Sequence, residues 1–485
     1  MKINVFLQTI ASICILRRYY QTVVKLNFNL IFNVFSSLVL GITGYAGSVY
    51  GLEEVDNALL IQDLNPVINS PQDITAELIR HISNNSIKSL TVNYEFTRCF
   101  AVSEDKEEWQ KDQLKNNPFW QANQINTIRR IEFEIKLTSQ VKSLACAFKD
   151  FKDLEYINLS DTSNITDMSM VFSGAESFNQ SLSLWNTSKV TSMRWMFDNA
   201  KSFNYPVNNW DTSQVTDMEG MFYGAESFNQ SLSKWNTSKV SNMRGMFAKA
   251  KSFNKPVDNW DTSQVTDMGC MFCGAEAFNQ PLDNWNTSNV TDMSMMFSLA
   301  KSFNQSVNNW DTSKVTTMEG MFRFAKSFNK PVGDWNTSNV TTMREMFFGA
   351  ESFNQPLNNW DTSQVTDMGN LFREANAFNQ PIENWNTSRV TEMKGMFFYA
   401  KSFNQQLETW NTSSVIDMSW MFYGAKSFNQ PLNSWNTSQV VDMSFMFGHA
   451  ESFKQPLGNW DLSKVKSRES MFLGADSYSY HDNFK

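Results

Sequence analysis

The stretch Glu276-Ala-Phe278-Asn279-Gln280-Pro281-Leu282-Asp-Asn-Trp285-Asn286-Thr287-Ser288-Asn-Val290-Thr-Asp-Met293-Ser-Met-Met296-Phe297-Ser-Leu-Ala300 decides the fold. Its pattern returns every 25 residues without an insertion. Tryptophan marks each beat, at Trp185, Trp210, Trp235, Trp260, Trp285, Trp310, Trp335, Trp360, Trp385, Trp410, Trp435 and Trp460. The phenylalanine seven residues earlier keeps step from Phe178 to Phe453, and Tyr478 takes the next place. A fixed period in this range is the mark of a solenoid, in which one supersecondary unit stacks on the next.

The second half of the unit reads as a short helix. Val290, Met293, Met296, Phe297 and Ala300 recur at the spacing of one helical face. Thr287 and Ser288 stand where cap residues belong, and Gly274, Gly349 and Gly424 stand where a helix would end. The first half reads as extended. Phe278 and Leu282 share a face, and Trp285 breaks that parity, which predicts a bend between them. Proline recurs at 206, 256, 281, 331, 356, 381, 431 and 456 and cannot donate to a ladder. A short ladder is therefore expected near the Leu-to-Trp segment, after an unpaired arm. Asn179 and its equivalents as far as Asn429 form a polar row that ends at Lys454. Their amides are expected to satisfy backbone groups of adjacent turns.

One unit cannot fold alone. Its apolar side chains each stabilise by roughly 1.5–3 kcal/mol when buried, whereas ordering the backbone costs on the order of 1–2 kcal/mol per residue. Stacked units share a continuous core. At a spacing of roughly 5 Å per turn, twelve of them would extend on the order of 60 Å. A longer period lies underneath. Trp-Asp-Thr-Ser occurs at 210, 260, 310 and 360, and Trp-Asn-Thr-Ser at 185, 235, 285, 335 and 385, which points to duplication of a 50-residue pair.

The sentence Phe-Asn-Gln-Pro-Leu-x-x-Trp-(Asp/Asn)-Thr-Ser-x-Val-Thr-x-Met-x-x-Met-Phe-x-x-Ala resembles the repeat of BspA-like bacterial surface proteins, which are leucine-rich-repeat relatives. The likeness covers residues 154–475, and Leu154-Glu-Tyr-Ile157-Asn-Leu159 also reads like an ordinary leucine-rich repeat. The resemblance implies a curved solenoid at a cell surface that binds other proteins, and it carries over no catalytic residue. The expected fold is thus α/β: a leucine-rich-repeat-like solenoid of about twelve 25-residue repeats with an N-terminal α+β cap.

Four segments follow in order: 1–46, 47–140 as a cap, 141–475 as the solenoid, and a tail at 476–485. Residues 1–46 hold two apolar blocks, the second preceded by basic residues and followed by Gly44-Tyr45-Ala46. That fits a signal peptide cut after Ala46, with a signal anchor as the rival and two short core elements as the third reading. Cys14 follows Ile13 where a lipoprotein signal wants a small residue. In the cap, Ile74 to Ile82 has helical spacing, while Ser89 to Tyr94 and Ile131 to Ile135 alternate like strands. Val141, Leu144, Phe148 and Leu154 echo the repeat one residue short. The pattern decays at Leu462 and Arg468, as suits a terminal unit. No apolar tail follows, so membrane attachment is expected only through the N-terminal segment.

Chemistry is sparse. The net charge of −8 does not suggest nucleic acid. Cys270 and Cys273 form a single Cys-x-x-Cys with no second pair, short of a zinc site, and read as substitutions at two tolerant positions. Cys99 and Cys146 are placed to pair in an oxidising compartment. His81, His449 and His481 lie in no nucleophile or metal motif. Carboxylates recur in rows and not in a convergent pair, so no enzyme, cofactor or metal is expected. The sequons at Asn186, Asn236, Asn286 and Asn336 come from the repeat itself and read as capping chemistry.

The informative positions are those that vary on an invariant scaffold. Two lie between the paired methionines and two follow the phenylalanine. Aromatic residues there are candidates for partner contact: Trp195, Phe324, Phe348, Phe398, Tyr399, Trp420, Tyr423 and Phe445. The competing reading is that they tuck against neighbouring turns. The leading function is a non-enzymatic surface or secreted protein mediating protein–protein interaction or adhesion. The alternatives are an effector scaffold delivered into another cell, a hydrolase seated in 47–140, and a threonine array (Thr187, Thr212, Thr237) acting on an ordered lattice such as ice.

Overall fold

The computed structural model describes residues 130–159 and 161–479, with two strand segments at 67–68 and 89–92. The two N-terminal apolar blocks, the helical spacing at Ile74 to Ile82 and the tail beyond 479 lie outside the described residues. Four strands form one parallel sheet in chain order: β1 (Val67–Ile68), β2 (Ser89–Val92), β3 (Arg130–Leu137) and β4 (Tyr156–Leu159). The two alternating stretches became β2 and β3, which pair in register from Ser89–Glu134 to Val92–Leu137. The β4 edge meets a side chain. Ile157 N–H donates to Gln180 Oε1 at 2.7 Å, and Gln180 Nε2 donates to the Ile157 carbonyl at 2.8 Å. A primary amide holds one acceptor and a donor in the geometry of a peptide group, so it takes the place of a further strand.

The repeats contain no helix among the described residues, which corrects the α/β expectation. Val290, Met293, Met296, Phe297 and Ala300 are all buried, as their spacing implied, but the backbone beneath them is a run of tight turns. Met293, Met295, Phe297 and Leu299 donate their N–H to the carbonyls of Thr317, Glu319, Met321 and Arg323 in the next coil. Between them, Met296, Ser298 and Ala300 donate back three residues. Met295 (φ 53°) and Leu299 (φ 60°) are left-handed. A helix keeps its N–H groups within itself. Here two left-handed residues per coil turn every second N–H outward, and the constant 25-residue step sets a carbonyl opposite each one. The glycines thought to end a helix occupy one of these left-handed columns, and Gly220, Gly245, Gly320 and Gly395 occupy the other.

The ladder also lies in the opposite half from the one expected. Single parallel bridges run through Asp292, from Ser143 at one end to Ser467 at the other, and not through the Leu282–Trp285 segment. The first bridge, Ser143 to Asp167, spans one residue fewer than the later ones, which is the short first unit seen in the sequence. Side chains tie the first half of the coil together. Asn279 Oδ1 accepts from the backbone N–H of Asn304 at 2.9 Å and from Gln305 Nε2 at 3.0 Å. The row closes where Lys454 N–H donates to Asn429. Thr287 is not a helix cap: its buried hydroxyl donates to the Asp311 carbonyl of the next coil at 2.9 Å. Asn286 Oδ1 accepts from Ser288 N–H, a local turn. Thr187, Thr212 and Thr237 are buried and donate in the same way, which removes them as an array facing a lattice.

Three columns of rings fill the interior. Phe297 and Phe303 stack at 3.9 Å within a coil. From coil to coil, Phe297 and Phe322 lie 5.6 Å apart, Phe303 and Phe328 5.9 Å, and Trp310 and Trp335 6.5 Å. From Trp210 to Trp460 each column Trp Nε1 also donates to a carbonyl of the preceding coil, as Trp310 does to Leu282 at 3.2 Å. Equivalent rings in equivalent orientations measure the displacement between coils. A hydrogen-bonded ladder holds coils about 4.8 Å apart, so spacing widens from the bridged side toward the tryptophans. The stack therefore curves with the 292–299 face on its inner side.

Candidate functional site

Met293, Met296 and Phe297 point into the core, while residues 294, 295 and 299 reach the surface and Ser298 is buried beneath them; larger side chains in the 298 column, such as Phe348 and Phe398, are half-buried. These four columns are the variable positions of the sequence pattern. They make two different surfaces along the array.

Toward the C-terminus the surface is aromatic. Phe324 and Phe348 lie 4.5 Å apart with the Arg323 guanidinium over both. Arg373 is held between Phe348 and Phe398, at 5.0 and 4.2 Å. Phe398 stacks on Tyr423 at 5.1 Å and meets Tyr399 edge-on. Trp420 contacts Tyr423 and stacks on Phe445 at 4.1 Å, and His449 meets Tyr423 edge-on. Seven of the eight candidate residues thus join one strip: Phe324, Phe348, Phe398, Tyr399, Trp420, Tyr423 and Phe445. All are half-buried.

The rings of Phe324 and Tyr399, both on left-handed residues, lean over the next coil. A Cβ on Gly349 would enter the Phe324 ring, and one on Gly424 would enter the Tyr399 ring. One side of the ring is therefore seated on the scaffold while the other remains accessible. Arg323 and Arg373 stand two coils apart in the same column as Phe348 and Phe398, and His449 stands in the Tyr399 column. Arg373 and His449 were not among the sequence candidates. The signal for them was positional, since the same 25-residue step that selected the aromatics passes through these residues too.

Trp195, the eighth candidate, lies apart. It rests over Gly220 and near Tyr223, at 5.4 Å. Around it the face is polar and titratable. Burial raises the Asp198 carboxyl to about 6, against a hydrogen bond that Ser173 donates at 3.0 Å. Burial likewise raises Asp150 and lowers the neighbouring Lys149. The Lys249 ammonium lies 4.8 Å over the Tyr223 ring. Arg194 pairs with Glu219 at 2.7 Å and Arg244 with Asp292 at 2.9 Å. Among the described residues no group of three or more His, Cys, Asp and Glu side chains could hold a metal ion. Cys146 is disulfide-bonded, while Cys99, its expected partner, lies outside the described residues.

The bonding defines a tandem-repeat solenoid with a variable inner face. The chain belongs to the family described as "Mycoplasma protein of unknown function, DUF285", which matches at residues 142–255, 230–329, 303–405 and 379–483. No curated protein matches it. Among solved structures it is similar to the "Crystal structure of TLR13-ssRNA13 complex", with 11% identity, 86% of this chain and 64% of that chain covered, and a TM-score of 0.20. The chain thus spans less than two thirds of that protein, and a likeness of this size carries no argument about function.

Proposed function

We propose that this protein is a non-enzymatic binding scaffold, presented at a cell surface or secreted, that takes another protein on its inner face. The observation that carries the reading is the strip from Phe324 to Phe445. Aromatic rings and arginines are the residues that dominate binding energy at protein interfaces. Here they gather on positions the repeat core leaves free. Seating on the coils below pre-orders them, so little side-chain entropy remains to be lost on binding. The BspA-like resemblance and the apolar N-terminal blocks support the surface location, and titratable groups strung in rows favour binding over catalysis.

Two experiments test this. Immobilised protein is offered extracts of cells that surround its own. Capture of a specific protein is expected to fall at least tenfold in Phe398→Ala/Tyr423→Ala, in keeping with hot-spot losses of about 2 kcal/mol or more. It is expected to persist in Trp195→Ala. Equal capture by all three would remove the strip as the site. Protease added to intact cells is expected to cleave the repeats, and protection until lysis would remove the surface location.

A further inference from the structure

The Cys270–Cys273 pair was the one motif of the sequence that the binding surface does not use. The two thiols sit on the inner face where its polar part meets the aromatic part. Cys273 N–H donates to the Cys270 carbonyl at 3.0 Å, closing a tight turn. Such a turn holds its first and fourth Cα atoms within about 7 Å, and a disulfide spans Cα separations of about 4.4–6.8 Å. Both cysteines are free and half-buried. Cys270 is left-handed (φ 58°) and its N–H is fixed to the Ser294 carbonyl at 2.7 Å, so the backbone of the turn is held in place by the next coil.

The two sulfurs are not equivalent. A hydrogen bond from the Cys270 thiol lowers Cys273 to about 7, helped by the Ser298 hydroxyl and the Lys249 and Arg323 cations. The same hydrogen bond, together with burial, raises Cys270. One thiol is thus prepared to attack and the other to resolve.

We propose that Cys270 and Cys273 form a thiol–disulfide exchange site whose oxidant is a low-molecular-weight disulfide. The Cys273 thiolate attacks one sulfur of the oxidant. A mixed disulfide forms and one thiolate leaves. Cys270 then gives up its proton and attacks Cys273 Sγ, expelling the second thiolate and closing the turn disulfide. Two electrons and two protons pass from the pair to the oxidant, which ends as two thiols. The proposal is independent of the binding role.

The test uses the full chain in glutathione buffers of set ratio, followed by alkylation under denaturing conditions and trypsin. The peptide 252–301 contains these two cysteines and no other. In excess glutathione disulfide it should resist alkylation and be lighter by two hydrogens, and dithiothreitol should reverse both. Serine already occupies these columns at Ser298 and Ser470, so single serine variants suit the fold. Cys270→Ser should accumulate a glutathione adduct on Cys273. Cys273→Ser should form an adduct on Cys270 at least tenfold more slowly. Full alkylation of both thiols in the parent under excess oxidant would overturn the proposal, as would equal adduct rates in the two variants.

Discussion

The inner face from Lys149 to Lys249 and the same face from Arg323 to His449 use identical backbone bonds and carry opposite chemistry. The first holds carboxyls, lysines and amides, several with titration shifted by burial. The second holds stacked rings with guanidinium groups between them. Beneath both, from Phe178 onward, the Phe, Trp, Asn and Thr columns continue without change. The scaffold is set by residues that repeat, so outward residues are free to differ without disturbing the fold. Rows of side chains on one chain can therefore be read separately, one as stability and the other as surface.

The largest effects should fall on the shared interior and be equal in both parts. Trp235→Ala and Trp385→Ala each remove a buried ring stacked on its neighbours. Each should cost about 3–5 kcal/mol in denaturant unfolding. Trp460, stacked on Trp435 near the end of the array, should cost less. Trp310→Ala should divide the array into two separately melting blocks, because a solenoid is held by its neighbour interfaces. Different costs for Trp235 and Trp385 would mean that the two parts do not share one core.

A second effect should separate the parts by pH. The folded-state pKa of Asp198 is raised above its ordinary value, so the folded coil binds the proton more tightly than the unfolded chain. Stability at this site is therefore greatest below the unfolded pKa and falls as pH rises from about 4 to about 6, by on the order of 2–3 kcal/mol. Hydrogen exchange over 173–199 should slow on going from pH 7 to pH 5 after correction for the intrinsic rate, and Asp198→Asn should flatten the response. The measurement stays above pH 4 because Asp211, Asp261 and Asp311 are lowered by hydrogen bonds from serines. Those carboxylates lose their contribution only at more acid pH. An unchanged profile in the Asn variant would place the proton elsewhere.

The smallest effect tests how the rings are seated. Gly424 and Gly245 are both left-handed, yet a Cβ on Gly424 enters the Tyr399 ring and one on Gly245 meets nothing nearer than 3.9 Å. Alanine at either position should cost about 1–2 kcal/mol for its backbone. Gly424→Ala should cost about 1 kcal/mol more, for displacing a seated ring. Equal costs in thermal unfolding would mean that Tyr399 is not held by the coil below.

Much of this was legible in the sequence, and the failures have a physical cause. The Asn row and the Trp column were readable because a side chain repeated at constant step has the same neighbour every time. The helix was misread because Val290, Met293, Met296, Phe297 and Ala300 fit one face of a helix and equally the inner side of a turn run. What distinguishes the two is the glycines four residues apart, at Gly220 and Gly224, since a helix tolerates a left-handed residue only at its end. The strip was readable as a set of aromatics but not as a strip, because Arg323 and Arg373 connect it and charge alone did not mark them.

The central claim is that partner binding uses the aromatic part of the inner face and not the polar part. Hydroxyl-radical footprinting of the captured complex tests it directly, since exposed aromatic side chains react and covered ones do not. Phe398, Tyr399, Trp420, Tyr423 and Phe445 should lose reactivity on binding while Trp195 and Tyr223 stay unchanged. Protection of Trp195 and Tyr223, with the strip from Phe398 to Phe445 still reactive, would contradict it.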